Sequence, residues 1–314
     1  VTSSIDAPVA ATATLRSPSP RRRGRRRSWP LLLILLGPAV ALILLFIVVP
    51  AGYGIYLSFT NTQLTGFAAR DPKFVGLDNY SYLLTSADFL SSLGHTGQFV
   101  LYSAIIGQTV LGMVAAILLS RPWVRGKGIF GAAILMPMVV PEVVASLAWA
   151  SVLSNGRAGT LNQLTGLFGA GPTDWLQVVP MVSIITVNIW RGIAFAMIMF
   201  QAALEDVPVE LIEAARIDGA RALQVFRYVT LPLIRGPVFL YLLLTTISTV
   251  GVFGLVYFLT QGGPGGQTRL AAIYIYERAL QFSQVGIGSA ASMILLAIVL
   301  VLGVVYVRLA KVEV

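Results

Sequence analysis

Side chains able to do acid–base, nucleophilic or metal chemistry are scarce in this chain of 314 residues, which has no cysteine and a single histidine, His95. Disulfides, thiolate nucleophiles and metal centres built from Cys or His are excluded by that composition, and no metal site is expected. Inside the long apolar stretches stand one acid, Glu142, and one guanidinium, Arg191, with Asn188 and Trp190 beside the latter and Thr245, Thr246, Ser248 and Thr249 further on. Ionisable groups are costly in hydrocarbon and face a bundle interior or a wet path. Two readings follow. Either Glu142 and Arg191 are structural, paired with each other or with a partner, or Glu142, Asn188, Trp190, Arg191, Thr245 and Ser248 line a translocation path. Hydroxylated cargo would need such oriented donors, acceptors and aromatic faces. An intramembrane enzyme would need paired carboxylates, a nucleophile with its base, or a metal cluster, and the apolar runs offer none of these. Arg125-Gly126-Lys127-Gly128 lacks the spacing of a phosphate-binding G-x-x-x-x-G-K-[ST] loop, so no nucleotide is expected on this chain.

A second constellation lies in a polar segment between two apolar runs, Leu204-Glu205-Asp206-Val207-Pro208-Val209-Glu210-Leu211-Ile212-Glu213-Ala214-Ala215-Arg216-Ile217-Asp218-Gly219. Pro208 suits the first turn of a helix, and acids near that start complement the helix dipole. Val207, Leu211, Ala214 or Ala215, with Ile212, make a short amphipathic face, and Gly219 can take the left-handed conformation that ends a helix. A second helical stretch from Ala220 to about Thr230 is expected to break at Pro232 and Pro237. Small Ala side chains permit close approach to a partner, and a Gly elbow fixes the angle. The alternative is a surface helix that lies along the headgroups and binds nothing.

The elements that must carry these residues are membrane helices. Hydrophobic residues make up 56% of the chain and charged ones 11%, against about 25% charged in soluble domains; the mean hydropathy is +0.82. Six segments are long enough to cross a bilayer, at about Leu31–Phe59, Gly97–Ser120, Gly128–Leu153, Val178–Leu204, Val238–Thr260 and Val285–Leu309. Backbone groups in lipid must be paired within their own segment, so each is expected to be helical. The first run is too long for a signal peptide and no small-residue cleavage site follows it. Of the 22 Lys and Arg, sixteen fall in the tail and alternate loops, five in the opposite loops, and Arg191 within a span. That bias places both termini in the cytoplasm. Residues 1–30 hold seven arginines and read as a disordered cytoplasmic tail that meets anionic lipid headgroups; with no interleaved aromatics, nucleic acid is not an expected partner. Asn61–Thr96, containing His95, Asp78, Tyr80, Tyr82 and Asp88, is expected to be an outer platform. Ser154–Gln177 has room for a short surface helix, and Gln261–Gly266 for a tight turn.

Glu213-Ala214-Ala215, Gly219, Val229 and Leu231-Pro232 resemble the EAA loop of bacterial ABC importer permeases, with Val229 where Ile is usual. The run Ala203 to Ala220 resembles the carbohydrate branch, of maltose and glycerol-phosphate type. So do Leu135-Met136-Pro137 with Pro141, Gly159-Thr160-Leu161-Asn162, and Tyr257-Phe258-Leu259-Thr260-Gln261-Gly262-Gly263-Pro264 with Thr268 and Tyr274-Ile275-Tyr276. The likeness covers residues 31–310. It implies an all-α integral membrane fold of about six transmembrane helices, residues 31–314 forming the permease domain, with a cytoplasmic EAA coupling helix between spans four and five. It assigns Glu213, Ala214, Ala215 and Gly219, with Arg216 and Asp218, to ATPase coupling. Its implied partners are a second, related permease subunit, two copies of an ABC ATPase that bind ATP and Mg, and an extracytoplasmic solute-binding protein. The implied role is a non-catalytic half of the path for a sugar or related polyol in a bacterial inner membrane. A transporter driven by an ion gradient is the rival reading, and it would call for acids in several spans. The cargo, whether oligosaccharide, polyol or glycerol phosphate ester, is left open by the residues.

Overall fold

The computed structural model describes residues 29–310 except 122, 157 and 158; the basic tail up to residue 28 and the last four residues lie outside the description. Among the described residues the only extended pairing is an isolated antiparallel bridge between Thr60 and Phe74. Regular structure is otherwise helical, and the main helices are α1 Ile34–Ser58, α2 Asp78–Thr85, α3 Ala87–Ser120, α4 Lys127–Val139, α5 Glu142–Val152, α6 Thr160–Gly166, α7 Pro180–Glu205, α8 Val209–Ile217, α9 Ala222–Leu233, α10 Arg235–Val250, α11 Gly254–Thr260, α12 Ala271–Tyr276 and α13 Val285–Ala310. The described residues form two units divided between Gly52 and Tyr53; the first holds most of α1, and the packing below belongs to the second.

Four helices, α1, α3, α7 and α13, are each long and apolar enough to cross a bilayer, and two bent pairs bring the number of spans to as many as six. Two of the expected spans depart from simple rods, and another begins early. The third breaks at Val140–Pro141, where α4 and α5 meet at 108°; Pro141 has no N–H to continue the ladder, and Val140 before it is driven to an extended conformation. The fifth, expected to run to Thr260, ends at Val250 and restarts at Gly254 as α11. At 16 residues α10 is about 24 Å long, short of the hydrocarbon thickness by itself. Pro232 does not break the preceding helix. It stands in the last turn of α9, which continues to Leu233, and the chain turns by 72° about Ile234 into α10, whose first turn holds Pro237, where a missing N–H costs nothing. The second span starts earlier than expected, its N-cap Ser86 accepting from the Phe89 N–H. His95 therefore lies within α3 and not in a loop.

Of the three apolar clusters among the described residues, two tie α3, α7, α10 and α11 together. Phe99 of α3, Ile184 and Val187 of α7, Leu153 after α5, and Leu255 and Leu259 of α11 form one. Met113, Ala196, Phe200, Ile234 and Tyr241 join α3, α7 and the α9–α10 turn in the other. Close approach is built in at Gly192, where a Cβ would overlap the Gln108 amide, and at Gly112, where it would overlap Ala196. In lipid, where no hydrophobic gradient pushes helices together, such small-residue contacts supply the packing.

Candidate functional site

The polar segment after α7 folds into a two-helix elbow. Pro208 sits at the N-cap of α8, one position before the expected first turn, with Glu210 in the first turn and Arg216 in the last, both complementing the helix dipole. The C-terminus closes in a Schellman turn: the Gly219 N–H donates to the Arg216 carbonyl and the Ala220 N–H to the Ala215 carbonyl, each at 3.0 Å. Gly219 has φ +84°, and nothing lies within 4 Å of where its Cβ would be, so backbone conformation and not space requires glycine there. The Arg221 N–H at the head of α9 is capped by Gln224 Oε1 at 2.8 Å.

No residue of α8 is buried. Glu213, Ala214, Arg216, Asp218 and Gly219 are exposed and Ala215 half-buried, while Val207 packs on the Phe200–Tyr241 cluster and anchors the elbow at its entry. The chain thus fixes the ends of the elbow and leaves its face uncovered. Sequence reasoning missed two members of that face, Ile217 and Leu223, which are 86% and 75% exposed. Isolated apolar residues flanking a glycine were the available signal.

The six interior residues do not gather into one site. Asn188 and Thr245 are buried in a network centred on Gln108, which the sequence did not single out. Gln108 Nε2 donates to the Asn188 carbonyl at 2.9 Å and its Oε1 accepts from Thr245 Oγ1 at 2.9 Å. The Asn188 amide donates to Ser103 Oγ at 2.8 Å. These bonds tie α3, α7 and α10 together and leave Asn188 and Thr245 facing protein. Thr246 faces the Tyr306 hydroxyl of α13 at 3.2 Å, and Ser248 is exposed. Trp190 and Arg191 are half-buried on α7. Trp190 meets Trp149 of α5 edge-on, 5.6 Å between centroids. Arg191 Nε is buried with no hydrogen-bond partner, and no ion pair joins Arg191 to Glu142 among the described residues. Glu142 instead turns its carboxylate to the N-terminus of α11, where Oε1 accepts from the Leu255 N–H at 2.7 Å.

A charged corner forms where α3 begins and α12 ends. Arg269 lies 3.2 Å from Glu277 and 3.7 Å from Asp88, and Arg278 lies 3.8 Å from Asp88. A cavity of about 360 Å³ opens between them. Burial pushes the Glu277 carboxyl above its ordinary value, against the pull of Arg269 and Arg278. Tyr80, in the same outer segment, shares a 2.7 Å hydrogen bond with Ser58. Asn162, within the Gly159–Asn162 run, organises the loop around α6: its two amide protons serve the carbonyls of Ser154, Gly156 and Thr173, one of them shared, and its oxygen accepts from the Trp175 indole.

The arrangement defines a multi-pass helical membrane protein whose chain breaks twice within its apolar segments and presents an uncovered elbow between two of them. Residues 108–312 match the family described as binding-protein-dependent transport system inner membrane component. The trehalose/maltose transport system permease protein MalF of Thermococcus litoralis is 30% identical over 280 residues, which is 88% of this chain and 92% of that protein. The trehalose transport system permease protein SugA of Mycobacterium tuberculosis is 29% identical over 300 residues, 95% of this chain and 93% of that one. A solved bacterial alginate ABC transporter, in complex with an alginate pentasaccharide-bound periplasmic protein, shares the fold with a TM-score of 0.76 at 22% identity, covering 92% of this chain and 97% of its own. The chain belongs to the family of binding-protein-dependent transport system inner membrane components. It is the membrane-spanning permease subunit of an ATP-driven ABC importer, a multi-pass inner-membrane protein and a non-catalytic part of its machine.

Proposed function

We propose that this permease carries a sugar or related polyol and that the α8–α9 elbow is the joint through which a separate ATPase drives it. The observation that carries the reading is the elbow itself: a helix closed by a Schellman turn at Gly219 and anchored at Val207, whose Glu213, Ala214, Arg216 and Asp218 face outward with no cover from the chain. The cargo class rests on the relatives, among them proteins named for trehalose, maltose and multiple sugars. In this reading the elbow and both termini lie on the cytoplasmic side, as the Lys and Arg bias favours. A related permease completes the path, two ATPase copies bind ATP and Mg below, and a solute-binding protein delivers cargo from outside.

ATP-driven closure of the ATPases would bias an equilibrium between inward- and outward-facing states by binding one of them better. Half-buried Trp190 and Arg191 remain the candidates for cargo contact within this chain; Arg191 offers an unused donor. Gly219→Pro and Glu213→Lys are expected to leave the spans inserted and abolish cargo-stimulated uptake in proteoliposomes holding the whole complex. Normal uptake by both variants would sink the coupling assignment. Arg191→Ala is expected to weaken the concentration dependence of uptake on cargo; an unchanged uptake curve would remove that residue from the path.

A further inference from the structure

We infer that Glu142 is a positioning residue of the transport cycle: its carboxylate caps α11 and holds α5 and α11, the two helices that restart after breaks in the membrane segments, as one rigid unit. The inference rests on the permease function and does not depend on the elbow's role. Leu255 is fully buried, and its N–H, at the second position of α11, has no partner on the preceding turn because the N-cap is Phe253, without a side-chain acceptor. Glu142 Oε1 supplies that acceptor at 2.7 Å. A second, weaker link joins the same helices, since the Ser146 hydroxyl shares its one proton between the Glu142 carbonyl of its own helix at 2.8 Å and the Leu255 carbonyl of α11 at 3.2 Å. Space at the joint is matched to the carboxyl: a Cβ at Gly254 would stand 3.3 Å from Glu142 Cδ, tighter than the neighbour accepts without moving.

The chemistry explains why an acid sits where a neutral residue would insert at lower cost. A break in a membrane helix frees N–H groups that water cannot reach, and each must find a protein acceptor. A carboxylate at a helix N-terminus makes a charge-assisted bond and meets the positive end of the dipole. Pro141 and the 108° bend aim Glu142, the first residue of α5, away from the line of α4. Apolar packing of Leu153 with Leu255, Val256 and Leu259 completes the joint. Glu142 therefore acts on α11 and not on cargo, and α5 and α11 move together when the transporter changes state.

The test uses the complete complex in proteoliposomes and exploits the absence of cysteine in this chain. Spin labels at Leu147→Cys on α5 and Phe258→Cys on α11, both exposed positions, report the separation of the two helices with and without trapped nucleotide. The distance distribution is expected to be narrow and the same in both states. Glu142→Ala, which strands the Leu255 N–H, is expected to broaden it and to lower maximal uptake by about tenfold with an unchanged half-saturating cargo concentration. Glu142→Gln keeps an acceptor oxygen and is expected to restore the narrow distribution and to bring uptake within about twofold of the parent. A shift of the separation between states in the otherwise unsubstituted chain would overturn the inference, and that measurement stands even if Glu142→Ala does not fold. So would a Glu142→Gln variant as impaired as Glu142→Ala with a raised half-saturating concentration, which would return Glu142 to cargo contact.

Discussion

At Gly219 one torsion angle decides the shape of the elbow. Its φ of +84° lies where an L side chain costs about 1 kcal/mol or slightly more, and the open space around it means nothing else opposes a Cβ. Gly219→Ala is therefore expected to leave the fold intact, loosen the Schellman turn and lower the yield of transport per ATP hydrolysed, measured as the ratio of the two rates. A ratio equal to that of the parent would show the turn to be unimportant for coupling. Gln108 makes the opposite case, a residue whose partners matter more than its backbone. Replacing it by Leu strands the buried Thr245 hydroxyl and removes a second donor from the Asn188 carbonyl, which keeps its bond within α7. A loss of about 3 kcal/mol is expected, read as a clear fall in Tm of the purified chain; an unchanged Tm would mean that water reaches the network. Glu277 offers a pH test. Its carboxyl, raised by burial above the ordinary 4.5, keeps a proton in the folded chain that the unfolded chain has already lost. Stability attributable to Glu277 therefore falls as pH rises through the window between 4.5 and the raised value, and Glu277→Gln is expected to remove that slope. A slope that persists in the variant would place its origin elsewhere.

Helices and their breaks were legible to different degrees, for physical reasons. Long apolar runs announce α1, α7 and α13 because hydrocarbon leaves a spanning backbone few alternatives. The break before Glu142 could be anticipated from Pro137 and Pro141, although only Pro141 stops the ladder; Pro137 lies inside α4. Gly251-Val252-Phe253 gave no comparable warning, since an apolar window reads the same whether or not its backbone is continuous. Pro232 misled in the other direction: α9 runs through it to Leu233, and the chain turns only at Ile234. Polar residues near one another in sequence, such as Asn188 and Arg191, went to different surroundings: α7 presents one to Gln108 and Ser103 and leaves the other half-buried beside Trp190. Three-dimensional partners of that kind carry no local sequence signal. The elbow was the most legible element, and its exposed tip gives a test at this scale. Ile217→Asp alters a side chain that is 86% exposed, so its stability is expected to stay within about 0.5 kcal/mol of the parent. Co-purification of the ATPase is expected to be lost, and its full retention would remove Ile217 from the interface.

The second unit combines rigid internal joints with an elbow whose face its own chain leaves uncovered. The Gln108 network and the Glu142 cap make the second unit stiff where α3, α5, α7, α10 and α11 meet. In the proposed coupling, that stiffness would let a displacement at the elbow reach the interior, since α9 leads into α10 through the turn at Ile234. The measurement that tests this claim most directly is ATP hydrolysis by the complex co-purified through this chain, with binding protein present, against a panel of neutral sugars, polyols and their phosphate esters. Stimulation by one neutral sugar or polyol, abolished in Gly219→Pro while the complex stays assembled, is the predicted result. A chain that co-purifies with no ATPase, or hydrolysis that Gly219→Pro leaves fully responsive to cargo, would contradict it.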